Sequence, residues 1–154
     1  MLGHAATHDG HRSPSPDSRD FARAMTLALE DAHVTPDEVD VVFADAAGTP
    51  SGDALEAKAI REVFGVRAGR VPVTAPKSMV GRLYAGGAAL DVATALLSMR
   101  DGVIPPTVNL DQRAESCELN VVTGRALPIT VSTALINARG FGGFNSAMVL
   151  RKHA

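Results

Sequence analysis

Tryptophan is missing from this 154-residue chain, and one tyrosine and five phenylalanines make up its whole aromatic set. The core must therefore be aliphatic and rich in alanine. A single cysteine excludes an internal disulfide and fits a reducing compartment. Net charge is also scarce, at −2, so neither a nucleic acid nor an anionic membrane surface is indicated as a partner. The longest apolar run, around 85–97, is too short and too interrupted to span a bilayer. The opening MLGHAATHDGHR has no apolar stretch after a basic start and does not read as a signal peptide. There is no internal repeat and no linker long enough to divide the chain. A soluble cytoplasmic protein forming one domain over 1–154 is the expectation.

A further lack is local. The segment 43–60 reads FADAAGTPSGDALEAKAI, in which an apolar stretch runs into a turn of small residues and then a helix. Loops of this kind at the carboxyl ends of strands commonly carry catalytic groups, yet this loop holds no His, Cys, Lys or Arg.

Strands and helices alternate in the pattern. Residues 1–7 can form a strand, and 8–17 (HDGHRSPSPD) a polar loop. His4, His8 and His11 lie close in sequence, but no Cys or carboxylate set completes a metal site, and a solvated loop is the reading. Ser18 or Asp17 can cap a helix reaching His33, with Phe21, Met25, Ala28 and Leu29 on one side. The continuous apolar run 39–44 suits a strand covered on both faces. Asp53 can cap a helix over 54–64, with Glu56 placed as in a capping box and Gly65 ending it. Strands are expected at 71–75, 119–123, 129–138 and 146–151, the last two bracketing the turn RGFGGFN.

The helix expected over 81–99 carries only Asp91 as a charge between Tyr84 and Met99, and small residues occur all round it. A surface helix would show a polar stripe. This one should be covered on most sides, so another layer, outside this chain, is implied. An α/β layered arrangement follows.

Four segments, ADAAGTPSGDALEAKAI, VPVTAPKSMVGRLYAGGAALDVATALLSMRDGVIPPTVNLD, CELNVV and INARGFGGFNSAMVLRK, resemble the carboxyl-terminal half of the β-ketoacyl synthase family, in family order and spacing. The resemblance implies an α/β fold, the C-terminal half of a thiolase-like fold with a mixed β-sheet covered by helices. Such a half is completed by another chain or by a missing N-terminal half. Met1 is read as favouring a naturally split subunit, beside the alternative that the chain is a fragment of a longer one.

The departures from the family pattern carry the functional expectation. Active members have A-H-G-T-x-T-P at the first motif, where this chain has Ala44, Asp45, Ala46, Ala47, Gly48, Thr49 and Pro50. The second family His follows K-S-x-x-G, and here Lys77, Ser78, Met79, Val80 and Gly81 are followed by Arg82. The imidazoles donate hydrogen bonds to a developing oxyanion. A carboxylate would repel that charge, and an arginine stays protonated at neutral pH. The family's nucleophilic Cys lies in the amino-terminal half, and Cys117 matches a different family position, read as a buried structural thiol.

Loss of both His resembles the chain length factor, the non-catalytic partner of type II polyketide ketosynthases. The resemblance implies a subunit without catalytic residues that pairs with a catalytic ketosynthase and helps wall its acyl tunnel. An acyl carrier protein would be met through the complex, and no cofactor or metal is implied. The alternative is half of a split β-ketoacyl synthase with its Cys on another chain. Lys77 and Glu56 match charged positions near the family active site, with an ion pair or helix-end contact as the expected role. Asp45 and Arg82 are expected to pair where the two His once met. Gly140, Phe141, Gly142, Gly143 and Asn145 form the family's loop beside the active site, and Phe141 is expected to serve packing. Arg139 stands where many members have an apolar residue.

Overall fold

The computed structural model describes residues 1–10 and 17–153. The capping of the first helix at Asp17 and Ser18 therefore falls within it, whereas His11 and most of the loop reading for 8–17 lie outside the described residues. A five-stranded sheet runs in the order β1-β7-β6-β2-β3, with β1 at Gly3–His8, β2 at Val41–Phe43, β3 at Val73–Thr74, β6 at Thr133–Arg139 and β7 at Phe144–Arg151. β1, β7 and β6 pair antiparallel, while β6, β2 and β3 pair parallel. Two further short strands, β4 (Val103–Ile104) and β5 (Leu127–Pro128), pair with each other.

β2 sits between two parallel neighbours and is buried on both faces, which is why its sequence is apolar without alternation. Its side chains divide between two cores. Val42 joins the core under α1 (Arg19–Asp31) and α2 (Pro50–Phe64), with Phe21, Met25, Ile60 and Leu135. Val41 and Phe43 point the other way, to Ala95 and Met99 of α3 (Gly87–Asp101) and to Ile104 and Ile136. The sheet thus has α1 and α2 on one face and α3 on the other. α1 lies so close to β1 that a Cβ on Gly3 would come within 2.4 Å of the Ala32 nitrogen and 2.7 Å of the Ala28 oxygen.

Several boundaries differ from the sequence reading. α2 begins at Pro50, not 54, because Thr49 caps it through its side chain, accepting from Gly52 N at 3.2 Å, and proline fits the first helical turn. Asp53 accepts instead from Gly48 N, and Glu56 turns away from the helix start. Ser18 occupies the N-cap of α1, but its hydroxyl donates to Glu62, and Asp17 accepts from Arg19 N. The strand expected at 129–138 begins at Thr133, since Ser132 N and Thr133 N both donate to Asp40 Oδ2 and bend the chain there. Residues 119–123 make two isolated bridges, Val121 to Val73 and Thr123 to Thr107, rather than a strand.

α3 departs furthest. Gly81 and Tyr84 adopt φ of 82° and 49°, left-handed values that a helix starting at 81 cannot contain, so the helix starts at Gly87. Among the described residues it is covered on one side only, through Gly87, Asp91, Ala95, Ser98 and Met99. Its other side presents Ala89, Ala93, Leu96 and Leu97 to solvent, the two leucines 53% and 46% exposed. The apolar character that suggested burial on most sides is thus unmatched by any cover from the described residues. Among those residues no helix is long and apolar enough to cross a membrane.

Candidate functional site

The three parallel strands β2, β3 and β6 end on one edge of the sheet, the edge where α/β proteins place their ligands. Asp45 follows β2, Lys77 follows β3, and the turn Gly140–Gly143 follows β6. Arg82 arrives from the link between β3 and α3. The family-position residues are therefore brought to a single end of the sheet.

Glu56 shapes this end. Its carboxylate, projecting from α2 and 4% exposed, accepts from Asp45 N at 2.8 Å and Ala46 N at 2.9 Å, while Asn137 Nδ2 donates to it at 3.1 Å. Two consecutive amides held by one carboxylate fix the course of the loop, and Ala46 takes a left-handed φ of 45° there. Burial, and then the neighbouring charge of Asp45, push the Glu56 carboxyl up to about 6 against the pull of those donors. Asp53, which holds Gly48 N, is also raised, chiefly by burial.

The carboxylate of Asp45 is buried and lies 3.4 Å from Arg82 Nη2. Its Oδ2 makes no hydrogen bond among the described residues, so the contact is ionic rather than a directed bond. The same Arg82 nitrogen donates to Arg139 O at 2.7 Å, tying the pair to the end of β6. Lys77 is buried against α3 and pairs with Asp91, whose carboxyl is raised mainly by burial. Lys77 thus makes an ion pair, whereas Glu56 makes neither the ion pair nor the helix-end contact expected of it and holds the amides of the 45–46 loop instead.

Asn145 and Arg139 converge on Asp9. Arg139 Nη2 lies 3.1 Å from Asp9 Oδ2, its Nε donates to Asn145 Oδ1 at 3.0 Å, and Asn145 Nδ2 donates to Asp9 Oδ1 at 2.6 Å. The guanidinium also lies over Phe21, 5.2 Å from the ring centroid. Asp9 and Asp91 are the participants that sequence reasoning missed. Asp91 had a signal, as the lone charge in an apolar helix. Asp9 had none, because its partners lie some 130 residues away among ordinary turn formers.

Phe141 does not pack into the interior. It is 78% exposed and stacks on Tyr84 with centroids 5.9 Å apart and planes at 23°. Its turn carries left-handed glycines at 142 and 143, so the tip points outward. Cys117 is half-buried rather than buried, at the end of the turn Glu115–Cys117, where it borders a cavity of about 390 Å³ between α2 and the 107–121 segment that Ala46, Asp53 and Glu56 also line. Of the three histidines considered for a metal, His8 accepts from Gly10 N and packs edge-on to Phe144, while His4 lies near Asp31.

Chemically, the site holds three ion pairs, Asp45–Arg82, Lys77–Asp91 and Asp9–Arg139, and the Glu56 carboxylate committed to backbone amides. None of the residues gathered here is an imidazole or a thiol.

Residues 1–111 match the family described as beta-ketoacyl synthase, C-terminal domain. The chain is 56% identical to the tetracenomycin polyketide synthase ketoacyl synthase beta subunit of Streptomyces glaucescens, covering 99% of this chain and 37% of that protein. It is 50% identical to the actinorhodin polyketide putative beta-ketoacyl synthase 2 of Streptomyces coelicolor, covering 100% of this chain and 37% of that one. Among solved structures it superposes on the ishigamide ketosynthase/chain length factor with a TM-score of 0.94 at 32% identity, over 100% of this chain and 38% of that chain. A type II polyketide acyl-carrier protein in complex with its ketosynthase bound to the hexaketide gives a TM-score of 0.95 at 27% identity, with the same coverage. The chain therefore spans a little over a third of the length of the relatives it matches, and its fold is that of the carboxyl-terminal part of these thiolase-like proteins.

The raised Glu56 carboxyl has a consequence for stability. The folded value of about 6 stands above the ordinary 4.5, so the folded chain holds this proton more tightly. The stabilisation is complete below 4.5 and is lost as pH rises through about 6, amounting to about 2 kcal/mol. Denaturant unfolding from pH 4.5 to above 6 should show the wild type losing that much relative to Glu56→Gln, which has no charge to titrate. Parallel pH profiles for the two proteins would refute the assignment.

Proposed function

The chain belongs to the β-ketoacyl synthase family, and from that premise we propose that it works as a chain-length-factor-like subunit, a non-catalytic partner of a catalytic ketosynthase. It would act in the cytoplasm, in type II polyketide or related polyene or fatty acyl biosynthesis, supporting the complex and walling its acyl tunnel. The carrier protein would deliver its acyl groups to the partner subunit. The observation that carries this reading is the ion pair between Asp45 and Arg82 at the two positions where active members have histidines. A buried carboxylate repels a developing oxyanion, and a guanidinium does not surrender a proton at neutral pH. Similarity to a protein named as a beta subunit, and to a ketosynthase/chain length factor structure, supports the same reading.

The test is to remove the nucleophile from the partner. In a complex of this chain's subunit with a ketosynthase, substituting the partner's nucleophilic Cys by Ala should abolish condensation while leaving the complex intact. Condensation that persists, or that this subunit supports with its amino-terminal portion alone, would favour the split-synthase alternative.

Residues 1–154 are read as one carboxyl-terminal half-domain, and the bare apolar side of α3 as the surface on which the amino-terminal half packs. That half would come from a separate chain or from the same longer subunit. Leaving Ala93, Leu96 and Leu97 exposed in solution invites aggregation. Ala93→Arg should abolish co-purification with the amino-terminal half, since it places a charge where close packing is required. An intact complex carrying that substitution would show that α3 is not the contact.

A further inference from the structure

On the face of the sheet that α1 and α2 cover, the cavity of about 390 Å³ opens between α2, the end of β3 and the 107–121 segment. Its apolar wall is aliphatic: Pro50, Ala57, Val73, Leu110, Leu119 and Val121 line it, and no described aromatic ring does. Ala57, Val73 and Leu119 belong to the core under α1 and α2, so the cavity opens down to that core. The bare side of α3 lies on the opposite face, and cover there leaves this cavity open. The polar side chains of the wall are already engaged by backbone. Glu56 holds Asp45 N and Ala46 N, Asp53 holds Gly48 N, and Thr49 accepts from Gly52 N. Thr74 donates to Pro105 O at 2.6 Å, Thr107 accepts from Ala75 N at 3.0 Å, and Arg113 donates to Leu119 O at 2.6 Å. Gln112 and Arg113 are themselves exposed.

Such a wall recognises shape and apolar area. A pocket selective for a polar ligand aims a few polar groups at it, and here those groups serve the chain's own backbone. A carboxylate entering from solvent would meet the two carboxyls of α2, and an ammonium would meet the Arg113 guanidinium. A flat aromatic ligand would find no ring to stack on. A flexible aliphatic chain meets none of these obstacles: it gains by leaving water, and its head group stays at the mouth. We propose that this cavity binds a free, uncharged aliphatic molecule through its alkyl chain, with a medium-chain alcohol as the type. The site lies apart from the Asp45–Arg82 pair, but Ala46 and Glu56 line it and connect its occupancy to the loop that carries Asp45. No bond forms or breaks on binding.

Cys117 borders the cavity and is the single cysteine of this chain, which supplies the reporter. The chain is used as it purifies, with any partner that holds it. The rate at which N-methylmaleimide labels Cys117 is read by mass spectrometry of the peptide that contains it. 1-Hexanol, 1-heptanol and 1-octanol should protect the thiol saturably, each added methylene tightening the apparent Kd about fourfold. Hexanoate and hexylammonium should bind no tighter than hexanol. Ala114→Phe, at an exposed lining position, should abolish the protection by filling the cavity. Should that variant fail to fold, the wild-type series decides. General loosening of the fold by alcohol would speed labelling, the opposite of protection. Labelling that no alcohol slows, protection that does not depend on chain length, or tighter binding by a charged analogue would overturn the proposal. A thiol closed to the reagent before any alcohol is added would overturn it too, since protein would then fill the cavity.

Discussion

A buried carboxylate must find a positive partner, and at the carboxyl end of this sheet Asp45 finds Arg82 at 3.4 Å. Leaving either charge unpaired there would cost several kcal/mol, so the two residues constrain each other. The consequence is chemical. Three parallel strands deliver their ends to a place suited to reactive groups, and the groups delivered are a cation and an anion that neutralise one another. Glu56 completes the arrangement by holding the two amides that lead into and out of Asp45.

The same pair organises the surroundings. Arg82 reaches the end of β6 through Arg139 O, and Arg139 passes the connection to Asp9 and Asn145. The amino-terminal strand, the glycine turn and the β3–α3 link are thereby joined by hydrogen bonds at one end of the sheet. On the other side of the molecule α3 has a different logic. Half of it packs on Phe43, Ile104 and Ile136, and half is bare and apolar. A helix with no polar stripe on its bare side leaves an apolar surface open to further packing.

Much of this was legible from residues alone. The unbroken apolar run at 39–44 announced a central strand, and the paired replacement at 45 and 82 announced the ion pair. What escaped had physical causes. Asp53 looked like a helix cap because it precedes an apolar run, but Thr49 with Pro50 behind it is the stronger start. Local spacing could not reveal that Gly81 and Tyr84 take left-handed conformations and delay α3. Phe141 looked like a packing residue, yet the glycines after it turn its ring outward to Tyr84. Asp9 was invisible for a simpler reason: its partners are distant in sequence, and nothing local distinguishes a buried aspartate from one in a polar loop.

The most direct measurement is a double-mutant cycle on the Asp45–Arg82 pair. Asp45→Asn, Arg82→Gln and the double variant would be compared by denaturant unfolding. Mutual dependence predicts a coupling of about 1 kcal/mol or more, with the double variant less damaged than the sum of the singles. Strict additivity would contradict it, because the two charges would then be neighbours that do not sustain each other.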